Sequence, residues 1–147
     1  MNKIYKILVL IIFFSLAEYA PLYMQQGTTL QSKNKEVMEI FRNFEEGINS
    51  SNIDVFANYF SEKTYISLLS GNTGYFSPGQ SYYVLEDFLN THKPLSFKLM
   101  SKVTHSSSPF ASGVLRYSIR GIRRQAMVFI SLKRIRNYWS ITQITIN

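Results

Sequence analysis

Between positions 37 and 48 the apolar residues Val37, Ile40, Phe41, Phe44 and Ile48 recur at intervals of three and four, which gathers them on one side of a helix. Gly47 and the run Asn49-Ser50-Ser51-Asn52 predict a stop and a restart, with Ser51 or Asn52 as N-cap of a short second helix over residues 53–60. The period then changes. Tyr65, Ser67 and Leu69 alternate with Ile66, Leu68 and Ser70, and Gly71-Asn72-Thr73-Gly74 supplies residues that tolerate positive φ, so a short hairpin is expected. A third helix is announced by its start. Ser77 can cap it, Pro78 suits the first turn, and Gln80 completes a Ser-x-x-Gln capping box. Its apolar face takes Ser81, Val84, Leu85, Phe88 and His92, and Pro94 marks its end.

After Pro94 the period is two. Leu95, Phe97, Leu99 and Val103 alternate with Ser96, Lys98, Met100 and Lys102, and Leu115, Tyr117 and Ile119 alternate with Arg116, Ser118 and Arg120. Both segments are expected to be half-buried strands. Residues 126–132 are apolar on both faces, which predicts a strand covered on two sides, and residues 138–147 form a closing strand. Residues 121–123 and 136–137 are expected as tight turns, and 104–113 as a longer connection.

The order is thus α-α-β-β-α-β-β-β-β, an α+β arrangement that resembles the nuclear transport factor 2-like superfamily. More narrowly, "YFSPGQSYYVLEDFLNTHKPLSF", "GVLRYSIRG" and the terminal "WSITQITIN" are similar to a bacterial exported family, domain of unknown function 4783, over roughly residues 35 to 147. The resemblance implies a cone-shaped, SnoaL-like fold, with three helices packed on a strongly curved, mostly antiparallel sheet around an internal pocket. The superfamily includes isomerases, cyclases, dehydratases and hydrolases beside members that only bind, so a shared fold carries no catalytic residue across.

The first residues follow another rule. Lys3 and Lys6 precede an unbroken apolar run over residues 7–14, and Ser15-Leu16-Ala17 offers a small-x-small cleavage site before Glu18, as in a signal peptide over residues 1–17. The alternative, an uncleaved anchor helix, has about half of the roughly 20 apolar residues that a span needs. Residues 18–33, with Pro21 and Gly27 and without helical or strand period, are expected to be a flexible leader, and residues 34–147 the folded domain. This predicts a periplasmic or secreted protein. The chain has no cysteine, which excludes a lipid-anchored lipobox, disulfides and thiolate chemistry.

Candidate chemistry is sparse. An isomerase-type site needs a carboxylate base in the pocket and a tyrosine or protonated acid aimed at the oxyanion. Asp54 is explained by its place in a helix first turn, and Glu86 and Asp87 fall off the apolar face of the third helix. Tyr59, Tyr65, Tyr82, Tyr83 and Tyr117 are ordinarily core or rim residues. His92, near a helix end, can interact with terminal carbonyls, and His105 sits in the serine-rich connection. No metal-ligand spacing, nucleophile elbow or phosphate loop occurs, so no catalytic residue, metal or cofactor is assigned.

Charge is the most informative feature. Residues 18–87 hold nine acids against Lys33, Lys35, Arg42 and Lys63, whereas residues 88–147 hold ten Lys and Arg and no acid. On the expected fold the helical layer is acidic and the sheet basic. Lys98, Lys102, Arg116 and Arg120 alternate onto the face opposite the apolar residues, with Arg123 and Arg124 near a turn. These six are the candidate anion- or partner-binding residues. A solvated sheet whose charges discourage strand addition also explains them. An exported protein would meet acidic lipid headgroups, anionic polysaccharide or an acidic protein on such a surface. Nucleic acid is not expected, since the cluster lacks base-stacking aromatics. Like charges oppose a simple sheet-to-sheet homodimer, which leaves a monomer or weak homo-oligomer. Two functions follow: a non-enzymatic binding or interaction module, or a small-molecule isomerase, lyase or hydrolase using the cone pocket.

Overall fold

The structure is a computed structural model that describes residues 20–147, with side chains from residue 34 onward. The expected signal peptide lies outside the described residues. The chain divides into two units, residues 1–35 and 36–147. In the first, helix α1 (Ala20–Ser50) begins at Ala20, inside the segment in which the sequence suggested no helical period. Pro21 stands in its first turn, where a missing N–H costs nothing, and Leu, Gln and Lys are good helix formers.

From residue 36 onward the fold can be built from its caps and faces. Val37, Ile40, Phe41, Phe44 and Ile48 are all buried, as their spacing requires. The helix ends in a Schellman pattern: the Ser51 N–H donates to the Ile48 carbonyl and the Asn52 N–H to that of Gly47. Ser51, at φ 53°, is therefore the left-handed residue that closes α1 rather than the N-cap of the next helix. Asn52 accepts from the Asp54 N–H through Oδ1, and helix α2 (Asp54–Ala57) is only four residues long. The expected second helix was too long at its far end. Its last residue, Phe60, begins strand β1 (Phe60–Leu68), because the Tyr59 carbonyl accepts from Ile141 and ties this segment to the final strand.

Strand β1 pairs with β2 (Thr73–Phe76) as the expected hairpin. Helix α3 (Pro78–Thr91) has both arms of its capping box: the Ser77 hydroxyl accepts from the Gln80 N–H, and Gln80 Oε1 accepts from the Ser77 N–H. Strands β3 (Lys93–Val103), β4 (Phe110–Ile119), β5 (Ile122–Ile135) and β6 (Tyr138–Ile146) follow as an antiparallel meander. The six strands form one curved open sheet in the order β2-β1-β6-β5-β4-β3, in which β1 and β6 run parallel and every other pair antiparallel.

One face of that sheet meets the helices. Ile66, Leu68, Leu99, Leu115, Val128, Ile130, Leu132, Ile141 and Ile144 are buried there against α1 and α3. Between the layers, Phe44 meets Phe56 and Phe97 edge to face at 5.0 and 5.8 Å, and Phe56 meets Phe60 at 5.8 Å. The opposite face carries no helix among the described residues, and this corrects one expectation. Strand β5 is not covered on two sides: Met127 is 52% exposed, and Phe129 gains its partial cover from the Phe110 ring stacked at 5.8 Å on the same face.

Strand β3 departs furthest from its pattern. Its pairing with β4 slips twice, once between Pro94 and Ser96 and once between Leu99 and Ser101. Leu95 and Met100 are the extra residues at these bulges and are 53% and 75% exposed. Neither Leu95 nor Val103 joins the core, although plain alternation put them with Phe97 and Leu99. Gly113 shows why the strands can approach at this point, since a Cβ there would run into the Lys98 carbonyl.

Candidate functional site

The interior is the first place to look for chemistry. Among the described residues its buried polar groups are Ser61, Thr64, Ser81 and His92, and no carboxylate is buried. Thr64 donates to the Ile141 carbonyl at 3.0 Å and lies 3.2 Å from the Ser61 hydroxyl, so both serve the β1–β6 junction. His92 caps α3, with its backbone N–H and Nδ1 both at the Phe88 carbonyl, and its ring is stacked on Phe88 at 4.3 Å and tilted against Tyr117. These contacts fix a helix end.

Among the described residues the one clearly shifted titratable group is Tyr82, half-buried against the core. Tyr82 is held above its ordinary value by desolvation, then by the Asp54 carboxylate, which is also its hydrogen-bond partner, and more weakly by Glu86. This arrangement keeps the phenol protonated and makes it a poorer base. A groove of about 350 Å³ runs between α1 and the β5–β6 turn and is lined by Glu36, Glu39, Tyr59, Tyr138 and Trp139. Asn43 donates to the Tyr59 hydroxyl at 3.1 Å, and the Arg134 guanidinium lies 6.0 Å from the Trp139 ring centre.

The six basic candidates are divided by the bulges and turns. Paired residues of an antiparallel sheet project to the same face. Lys98 opposes Val114, Arg116 opposes Gln125, and Arg123 opposes Ser118, all on the face away from the helices. Lys102 differs. The bulge at Met100 shifts the register by one residue, so Lys102 opposes buried Ala111 and belongs to the other face, at the far end of β3. Arg124 opposes buried Tyr117, and so it too has the parity of the helix face. Arg120 lies in neither row, since at φ 50° it forms, with Gly121 at φ 80°, the two-residue turn joining β4 to β5.

What the fold does assemble is the end of the sheet where β3 begins. Arg116, Arg123 and Arg124 surround an open concavity of about 530 Å³ together with Leu95 and Gln125. Arg120 is in the adjoining turn, whereas Lys98 and Lys102 stand farther along β3. The two ion pairs among the described residues are Arg42 with Glu39 and Arg136 with Glu62, both on the surface. None of the six candidates is in either, so among the described residues no acid is paired to them. The sequence reading missed Leu95 and Gln125 as members of this surface. Plain alternation places Leu95 in an apolar row, and only the bulge shows it to be exposed.

No match is found among curated proteins. A DUF4783 family protein from Bacteroides uniformis superposes with a TM-score of 0.64 at 17% identity, covering 72% of this chain and 94% of that one. An NTF-2-like protein of unknown function from Shewanella oneidensis gives a TM-score of 0.55 at 12% identity, over 76% of this chain and 96% of that one. A hypothetical protein from Catenulispora acidiphila with a ketosteroid isomerase-like fold, solved in complex with trimethylamine, gives 0.59 at 12% identity, over 74% and 84%. At these identities the likeness establishes an NTF2-like fold and nothing of the chemistry. The sequence profile of the domain of unknown function DUF4783 matches residues 41–147, most of the chain and all six strands, and the protein therefore belongs to the DUF4783 family.

Proposed function

We propose that this protein is an exported, non-enzymatic binding module that holds an anionic partner at the β3–β4–β5 end of its sheet. The observation that carries the reading is the grouping of Arg116, Arg123 and Arg124 around one open concavity, with no acid among the described residues paired to them. Guanidinium groups are suited to such a role, since each keeps its charge at any physiological pH and offers a planar fork of donors to carboxylate or phosphate oxygens. The space between helices and sheet supports a surface role over an internal one, because Phe44, Phe56, Phe88 and Phe97 fill it. Export rests on the pattern of residues 1–17, and the expected mature chain begins at Glu18.

The test is retention on an anionic matrix at low and high salt. The unaltered chain should bind at low salt and elute as salt rises, since exposed charges are screened within about 10 Å at 0.1 M. Arg116→Glu with Arg123→Glu should abolish retention while leaving the melting temperature within a degree or two, because both side chains are exposed. Retention unchanged by that double substitution would overturn the proposal.

A further inference from the structure

The arginine end of the sheet carries a second feature that charge alone does not explain. Leu95 is 53% exposed in its bulge and lines the same concavity as Arg116, Arg123 and Arg124. Ile122 is 57% exposed beside the Arg120–Gly121 turn, a position where polar residues are the rule. Their strands place them at one end of the sheet: Pro94 pairs with Tyr117, Tyr117 with Arg124, and Ile119 with Ile122. Two exposed aliphatic residues thus share this end of the sheet with four arginines, Ile122 and Arg124 having the parity of the helix face and Arg116 and Arg123 that of the other, and among the described residues no acid is paired to the arginines.

We infer that this end of the sheet docks on an anionic lipid surface, with Leu95 and Ile122 entering the headgroup layer and Arg116, Arg120, Arg123 and Arg124 meeting the lipid phosphates. The inference rests on the anionic-partner reading and names the partner. A soluble anion or a polysaccharide would use the guanidinium groups and leave the aliphatic side chains in water. A protein partner needs a continuous apolar centre within about 800 Å² on each side, which two isolated aliphatic residues do not provide. A lipid interface makes use of both, since apolar side chains gain from burial below the headgroups while flanking cations gain from the negative surface potential.

The apolar run over residues 7–14 would itself draw the whole chain to vesicles, so the measurement must report locally. The chain contains no cysteine, and a single environment-sensitive fluorophore can be attached through Ile122→Cys in the full chain. A control label attached through Tyr75→Cys sits on β2, at the opposite edge of the sheet, where the native side chain is 73% exposed. With mixed phosphatidylglycerol–phosphatidylcholine vesicles the label at position 122 should brighten and shift to the blue, while the control label stays unchanged. Pure phosphatidylcholine vesicles should leave both unchanged.

In the labelled chain, Arg116→Glu with Arg123→Glu should raise the half-saturating lipid concentration by at least about tenfold, and Leu95→Ser by about fivefold. A silent label at position 122, an equal response to pure phosphatidylcholine, or a response abolished by excess soluble glycerol phosphate would each overturn the lipid assignment. If the anionic matrix still depends on Arg116 and Arg123 in that case, the broader reading survives and the partner is a soluble anion, a saccharide or an acidic protein. If matrix retention is also unchanged by the double substitution, both readings fall.

Discussion

The two faces of the sheet differ more than their shared strands suggest. On β5, Ala126, Val128, Ile130 and Leu132 are buried against helices, whereas Met127, Phe129 and Ser131, one residue out of step, have only neighbours on their own face. The inner face is apolar and filled by aromatic rings packed edge to face. The outer face combines half-exposed apolar residues at its centre with Arg116 and Arg123, unpaired among the described residues, at one end. The difference teaches that apolar content alone does not predict cover, since what counts is whether another layer is present to take the side chain out of water.

The largest test of this contrast is a matched pair of truncations. Phe44→Ala, which empties a fully buried site contacted by two other rings, should cost about 3–5 kcal/mol in chemical denaturation. Phe129→Ala on the outer face should cost about 1 kcal/mol. Equal costs would mean that the outer face is covered by something, such as a second copy, and light scattering on the same samples would show it.

A smaller effect is expected at the junction that sets the register of the two faces. Gly113→Ala should cost about 1–3 kcal/mol, because its methyl group must displace the Lys98 carbonyl and the strand carrying it. Hydrogen exchange should then rise at Lys98 and Leu99 before it rises in β6. A neutral substitution would show that the β3 bulge is freely adjustable, and the face assigned to Lys102 would no longer be fixed.

The smallest effect concerns the helical side, where the carboxylates stand. The Tyr82 phenol is held above its ordinary value by desolvation and by Asp54. A group raised in the folded state adds stability that is fully present below its unfolded value, and this is lost as pH climbs through the folded one, so the contribution is intact at neutral pH and fades only above about pH 10. Ultraviolet titration should show the Tyr82 phenol ionising above its ordinary range. Asp54→Asn should lower it, and so should added salt, as expected for a solvent-accessible pair but not for an interior one. Insensitivity to salt would place the pair in a drier setting than its solvent-accessible position implies.

How much of this was legible in the sequence depended on the range of the interaction. The capping box at Ser77 and Gln80 and the apolar stripe of α1 were legible because their partners lie within one or two helical turns. The family resemblance brought with it the three helices and the curved, mostly antiparallel sheet. Ser51 was misread because a residue between two helices can close the first or open the second, and the carbonyls of Gly47 and Ile48 decided the matter. Lys102 and Leu95 were misassigned for a longer-range reason. A bulge is a property of two strands, and nothing within β3 records that Met100 and Leu95 have no partner on β4.

By itself the sequence determined the order of helices and strands and the passage from an acidic first part to a basic second part, because local periodicity and charge are written residue by residue. Only the tertiary structure decided that β1 runs parallel to β6, that the space under the sheet is filled, and that Arg116, Arg123 and Arg124 meet around Leu95 while Lys98 and Lys102 stand apart. Those outcomes depend on which strands pair and in what register, and a shift of one residue carries a side chain from one face of a sheet to the other.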